Sequence, residues 1–172
     1  TNETGRELWR TDGTSNGTKL VKDINIGKAD GMTIRNAANI VVLNNKLYFF
    51  ANDGVHGIEL WESNGLESGT KIIKDINPGV KNSYRTGEIG ILNKSLFFFA
   101  GVGENYTAGK LWISDGTESG TKKIKDIVRG LVSVNSKTPF GAFGYRNELY
   151  FSGTTSNKYY NLWKTDGTET GQ

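Results

Sequence analysis

GRELWRTDGTSNGT occupies residues 5–18. Close relatives return as GIELWESNGLESGT at 57–70, GKLWISDGTESGT at 109–121 and YNLWKTDGTETG at 160–171. A sentence repeated four times is the mark of a repeat architecture. Its tryptophans, Trp9, Trp61, Trp112 and Trp163, stand 52, 51 and 51 residues apart. Other positions keep the same step. Lys22-Asp23-Ile24, Lys74-Asp75-Ile76 and Lys125-Asp126-Ile127 follow each Trp, and Leu47-Tyr48-Phe49-Phe50, Leu96-Phe97-Phe98-Phe99 and Leu149-Tyr150-Phe151 precede the next.

One period reads as four short strands. ANIVVLNN (38–45) is an apolar run closed by turn residues; KLYFFAN (46–52) is apolar on both sides and predicts a fully buried strand. GIELWES (57–63) is a third strand and TKIIKDI (70–76) a fourth with alternating faces. Asn64-Gly65, Asp-Gly in the other copies, predicts a tight hairpin between those last two. No helical periodicity interrupts the pattern. Four antiparallel strands in about 50 residues is the arithmetic of a propeller blade. A sandwich needs no such strict period, and a solenoid uses a shorter one.

The expectation is therefore an all-β fold, a β-propeller of four-stranded antiparallel blades in one domain over 1–172. Its repeats run about 5–56, 57–108 and 109–159, with a partial one at 160–172. The chain enters at a third strand and stops after another third strand. That makes about three blades with permuted ends, too few to close a ring of roughly four or more. The expected remedy is assembly: the fourth strand of one subunit completes the unfinished blade of its neighbour, in a homodimer or higher oligomer; the alternative is that the 172 residues are a slice of a longer array.

The ELWxxDGTxxGT line, fullest at Glu7-Leu8-Trp9 with Asp12-Gly13-Thr14 and Gly17-Thr18, resembles a family of bacterial and marine extracellular repeat proteins known by those letters. The second copy departs from it at Asn64 and Leu66; Lys110 and Asn161 stand where Glu is usual. The resemblance spans the whole chain. It implies a propeller of secreted or cell-surface proteins, and it implies no catalytic residues.

Composition narrows the chemistry. The 172 residues hold 23 Gly, 2 Pro, no Cys and one His. Disulfides, thiol nucleophiles and ordinary zinc sites are thereby excluded. No run of about 18 apolar residues predicts a membrane span. The net charge is +3, and the lysines recur at one place per repeat without clustering, apart from Lys122-Lys123-Ile124-Lys125, so nucleic acid is not an expected partner. TNETGREL does not read as a signal peptide, and the Asn-X-Ser/Thr triplets at Asn2, Asn16, Asn93 and Asn105 match a glycosylation acceptor on paper.

Catalysis is not expected. His56 lacks a nucleophile elbow around it, no phosphate-binding glycine loop exists, and Asp23, Asp75 and Asp126 recur in each repeat as structural groups would. No cofactor is expected. Calcium is the one ion that the turn aspartates Asp12, Asp115 and Asp166 could serve, yet they lack the alternating carboxylates of a calcium loop. A Trp at one strand position of every repeat reads as packing core.

What varies between repeats is the guide to function. The connections from fourth strand to first, and from second to third, are rich in Asn, Ser, Thr, Tyr, Gly and Arg. Amides and carboxylates hold sugar hydroxyls, and aromatic faces stack on the ring. The candidate ligand residues are Arg35, Asn36, Asp53, His56 and Glu59, with Tyr84, Arg85, Glu104 and Tyr106 in the next repeat. The expected function is a non-catalytic lectin, multivalent through its blades. The alternative is a structural or adhesive surface module that binds protein.

Overall fold

A computed structural model of the chain describes residues 3–32, 40–83, 89–101, 109–129, 143–155 and 161–168; for 126–129 and 143–144 only the backbone enters the account. The described residues form an all-β, wholly antiparallel structure. Strands β1 (Leu8–Arg10) and β2 (Lys19–Lys22) make a two-stranded sheet. β3 (Val41–Leu43), β4 (Lys46–Asn52), β5 (Ile58–Ser63) and β6 (Lys71–Lys74) form a four-stranded meander in that order. The same meander returns as β7 (Ile89–Leu92), β8 (Ser95–Ala100), β9 (Lys110–Ser114) and β10 (Lys122–Arg129). It is followed by β11 (Phe143–Tyr145), β12 (Glu148–Thr154) and β13 (Asn161–Thr165), with β12 in the middle. β10 meets β12 only through Val128–Thr154 and Arg129–Gly153, which joins the last two units into one seven-stranded sheet.

The four-strand reading of the period thus holds, down to the bounds of β4. The tight hairpin does not sit where Asn64-Gly65 suggested. β5 and β6 are joined by a seven-residue arch, 64–70, containing a 3₁₀ turn at Glu67–Gly69. The two-residue turns lie between the first and second strands of each unit, at Asn44-Asn45, Asn93-Lys94 and Arg146-Asn147. Both residues of each pair have positive φ, between 48° and 62°, as a type I′ turn requires. No glycine marks these turns, so the sequence signal was weak there. The Asp-Gly signal belongs to the arch, where the side chain organises a wider loop.

Alternation along the strands decides the core. On β4 and β5, Phe49, Ala51 and Trp61 join Leu8, Val21, Ile24 and Met32 of the first repeat. Tyr48, Phe50 and Leu60 point the other way, into the larger cluster shared with β7–β13. Phe50 lies edge-on to Phe98 at 5.6 Å, and Phe99 edge-on to Phe151 at 6.0 Å. Successive units are stacked face to face, and both faces of β4 and β8 are buried. Each junction has one polarity. The Trp-bearing face of a unit meets the Leu-bearing face of the unit before it.

A register shift falls at the same step in three repeats, between Leu8 and Trp9, between Leu60 and Trp61, and opposite Leu111 and Trp112. Such a bulge sharpens the twist of the outermost strand pair.

Candidate functional site

The arch motif accounts for its own letters. In the first repeat Asp12 Oδ1 accepts the Thr14 N–H at 2.9 Å and the Thr14 hydroxyl at 2.7 Å. The Thr14 Oγ1 accepts from the Gly17 N–H at 2.9 Å, and the Thr18 hydroxyl donates to the Thr14 carbonyl at 2.7 Å. Asp115, Thr117, Gly120 and Thr121 repeat every bond. The first glycine is needed for its positive φ, 93° at Gly13 and 91° at Gly116. The second is needed because a Cβ on Gly17 or Gly120 would strike the aspartate carboxylate. The Thr14 side-chain and backbone donors hold Asp12 below the usual carboxylate range, and Thr117 does the same for Asp115. These turns are closed hydrogen-bonded units built from their own atoms. Among the described residues, no three His, Asp or Glu side chains gather as a metal-binding group.

The glutamate before Leu-Trp is a second piece of framework. Glu7 accepts the N–H groups of Ile24, Asn25 and Gly31 at 2.9, 3.3 and 2.8 Å. Glu59 accepts those of Ile76 and Asn77 at 3.0 and 3.1 Å. Each carboxylate pins the chain just beyond the fourth strand to the third. Burial is the largest influence on Glu59 and, with the nearby Asp75 carboxylate, pushes it up to about 7 against the pull of its hydrogen-bond donors. Burial likewise raises Glu7. Glu59 is 0% exposed, so among the described candidate ligand residues, Asp53, His56 and Glu59, it is the one held inside the frame. Buried, unpartnered Oδ1 atoms on Asp23 and Asp75 sit in the same stretches.

Asp53 and His56 lie in the loop between β4 and β5. Asp53 Oδ1 accepts the N–H groups of Val55 and His56 at 2.9 and 2.8 Å, while Oδ2 meets His56 Nδ1 at 2.7 Å. The imidazole is 40% exposed and the carboxylate 17%. Burial would raise Asp53, but the hydrogen bonds from His56 and Val55 bring it below its ordinary value. The Asp53 hydrogen bond raises His56, with Asp75 and Glu59 adding to it.

This loop is tied to both neighbouring connections. The Asn52 N–H donates to the Gly31 carbonyl at 2.9 Å, and the Ile58 N–H to Asn82 Oδ1 at 2.9 Å. A Cβ on Gly54 would meet Asn25 Oδ1 at 2.8 Å, and one on Gly57 would meet the Lys81 and Val80 carbonyls. The two kinds of variable connection therefore come together at one edge of the stack. Arg35, Asn36, Tyr84, Arg85, Glu104 and Tyr106 lie outside the described residues. By sequence they belong to these connections.

One tryptophan lies in the core and two pack half-buried against it. Trp61 is buried, and the indole N–H groups of Trp112 and Trp163 donate to the Ala100 and Gly153 carbonyls at 3.2 and 3.0 Å. Trp9 differs, at 42% exposed. An open depression lined by Lys22, Leu66, Glu67, Ser68, Thr70 and Lys71 separates β2 from the second arch. At the next junction the equivalent Lys74 closes that space by donating to the Glu118 and Thr121 carbonyls at 3.4 and 3.1 Å.

No protein-family model, curated protein or solved structure matches this chain. The functional reading rests on the geometry.

Proposed function

We propose that the chain is a β-propeller lectin, without catalytic activity, whose sugar sites lie on the edge formed by the loop of Asp53 and His56 and the connections that flank it. Two features support the propeller. The four-stranded antiparallel meander recurs, and consecutive units stack with one polarity.

The observation that carries the lectin reading is a division of labour among polar groups. Those that repeat are engaged by the frame: the arch aspartates by their own turns and the Glu7 and Glu59 carboxylates by backbone N–H groups. Of the groups that vary, the described Asp53 and His56 lie at one edge, Oδ2 and Nδ1 2.7 Å apart, with the imidazole 40% exposed and the carboxylate 17%. Groups of this kind hold vicinal hydroxyls, and a rigid scaffold presenting loops is a common way to place them. Repetition then turns weak sites into a multivalent surface. The resemblance to secreted and surface repeat proteins suits a glycan partner outside the cell.

A glycan array probed with the chain tests this, followed by inhibition of cell agglutination with the free sugar. Asp53→Ala and His56→Ala each weaken binding about tenfold, which corresponds to about 1.4 kcal/mol. Absence of binding on the array at high protein concentration overturns the reading. The second reading is an adhesive scaffold that holds protein; it is favoured by the exposed Trp9 and Leu162, and it predicts assembly with no sugar dependence.

A further inference from the structure

The edge that holds Asp53 and His56 also carries aliphatic side chains turned largely to solvent. Val55, in the loop between β4 and β5, is 62% exposed; Val80 and Ile26, in the connections on either side of that loop, are 76% and 88% exposed. The frame puts them there. Asp53 Oδ1 holds the Val55 N–H at 2.9 Å. The Ile26 turn lies against the loop through the approach of Asn25 to Gly54, and the Val80 turn through the approach of the Val80 and Lys81 carbonyls to Gly57. Backbone bonds continue the row: the Asn52 N–H donates to the Gly31 carbonyl at 2.9 Å, the Ser83 N–H to the Ile58 carbonyl at 3.0 Å and the Gly101 N–H to the Ser83 carbonyl at 2.7 Å. Val55 thus has a described connection on each side.

The polar chemistry beside these aliphatics is narrow. Asp53 spends Oδ1 on two backbone N–H groups, and its Oδ2 accepts from His56 Nδ1–H at 2.7 Å. A proton held on Nδ1 leaves Nε2 as the nitrogen able to meet a ligand hydroxyl, and no described residue bonds it. Residues 24–31, 52–58 and 76–83 hold no Phe, Tyr or Trp on which a sugar ring could stack. Aliphatic side chains select differently: they accept a methyl group and leave a hydroxyl in the same place without a partner. Lys28 and Lys81 are exposed on the flanking turns, but Asp53, Asp75 and Glu59 act on the imidazole with the opposite sign, so the charges here do not single out an acidic sugar.

We infer that the ligand of this edge is a saccharide with a methyl group beside a hydroxyl, the hydroxyl on His56 Nε2 and the methyl against Val55 and Val80. The inference rests on the lectin reading and adds which sugars it takes. Two sources supply such a methyl, the 6-carbon of a deoxyhexose and an N-acetyl group, and each stands next to a ring hydroxyl.

Titration of the chain with free monosaccharides, followed by NMR chemical shifts, tests this, because free sugars read single sites without multivalency. The pairs to compare are D-fucose with D-galactose, L-rhamnose with L-mannose, and N-acetylglucosamine with glucose. The wild type binds the methyl-bearing member of at least one pair about tenfold more tightly, and the pair that shows it tells the 6-deoxy source from the N-acetyl one. Val55→Thr keeps the size of the side chain and adds a hydroxyl; it brings that ratio to about one while leaving the affinity for the other member unchanged. Val80→Thr lowers the ratio as well. His56→Ala weakens both members alike, since it removes the hydroxyl contact. Sugar binding with no preference in any pair, tighter binding of glucuronic acid than of every methyl-bearing sugar, or a ratio that neither Val55→Thr nor Val80→Thr changes overturns the inference and leaves the lectin reading standing. Absence of binding to any sugar removes both.

Discussion

At Asp115 one carboxylate oxygen takes both the backbone N–H and the hydroxyl of Thr117 at 2.9 and 2.7 Å, and the whole arch folds around that pair. Asp115→Ala removes two hydrogen bonds at an exposed site and is expected to cost about 1–2 kcal/mol in urea unfolding. Glu59 behaves differently because it is buried. Its carboxyl is raised from 4.5 to about 7, so the unfolded chain gives up this proton at lower pH than the folded chain does. The stability it contributes is complete below pH 4.5, falls as pH rises from there to about 7, and is level above. Each pH unit within that window removes up to about 1.4 kcal/mol. The stability of the wild type relative to Glu59→Gln, followed by denaturant unfolding across this range, should fall and then flatten; a constant difference would show that Glu59 does not titrate there. These roles were half legible. The letters D, G and T in the arch were plain, and their turn chemistry followed. That Glu59 is a backbone staple was hidden, because its partners, Ile76 and Asn77, are 17 and 18 residues away.

The strands were the most legible elements. A run such as KLYFFAN with apolar residues on both sides has to be covered on both faces, and it is: Phe49 and Phe50 are both fully buried, in different clusters. The turns were less so. Asn93-Lys94 adopts φ of 49° and 61°, a left-handed conformation that costs a side chain with a Cβ about 1–2 kcal/mol. Lys94→Gly gives the Asn-Gly pair that type I′ turns favour, and it should stabilise the β7–β8 hairpin by about 0.5–1 kcal/mol in thermal or urea unfolding. The same change at Gly65 in reverse would be harmful, since its φ is 83°. Asn-Gly pointed to a hairpin at 64–65 because the dipeptide signals positive φ, and positive φ also opens a seven-residue arch. Local propensity alone does not distinguish the two.

For the molecule as a whole, the period of the tryptophans determined the all-β class and the four-strand unit. Those are properties of spacing and of side-chain alternation, and both are written in the chain. Which residues vary was also readable. What only the tertiary structure decided was direction. Leu8, Leu60, Leu111 and Leu162 are the same residue in the same motif, yet three are buried and one is open. Trp9 and Trp61 part in the same way. A repeat specifies identical faces, and burial depends on whether another face arrives to cover them. That is a matter of neighbours in space, which no single period of the sequence contains.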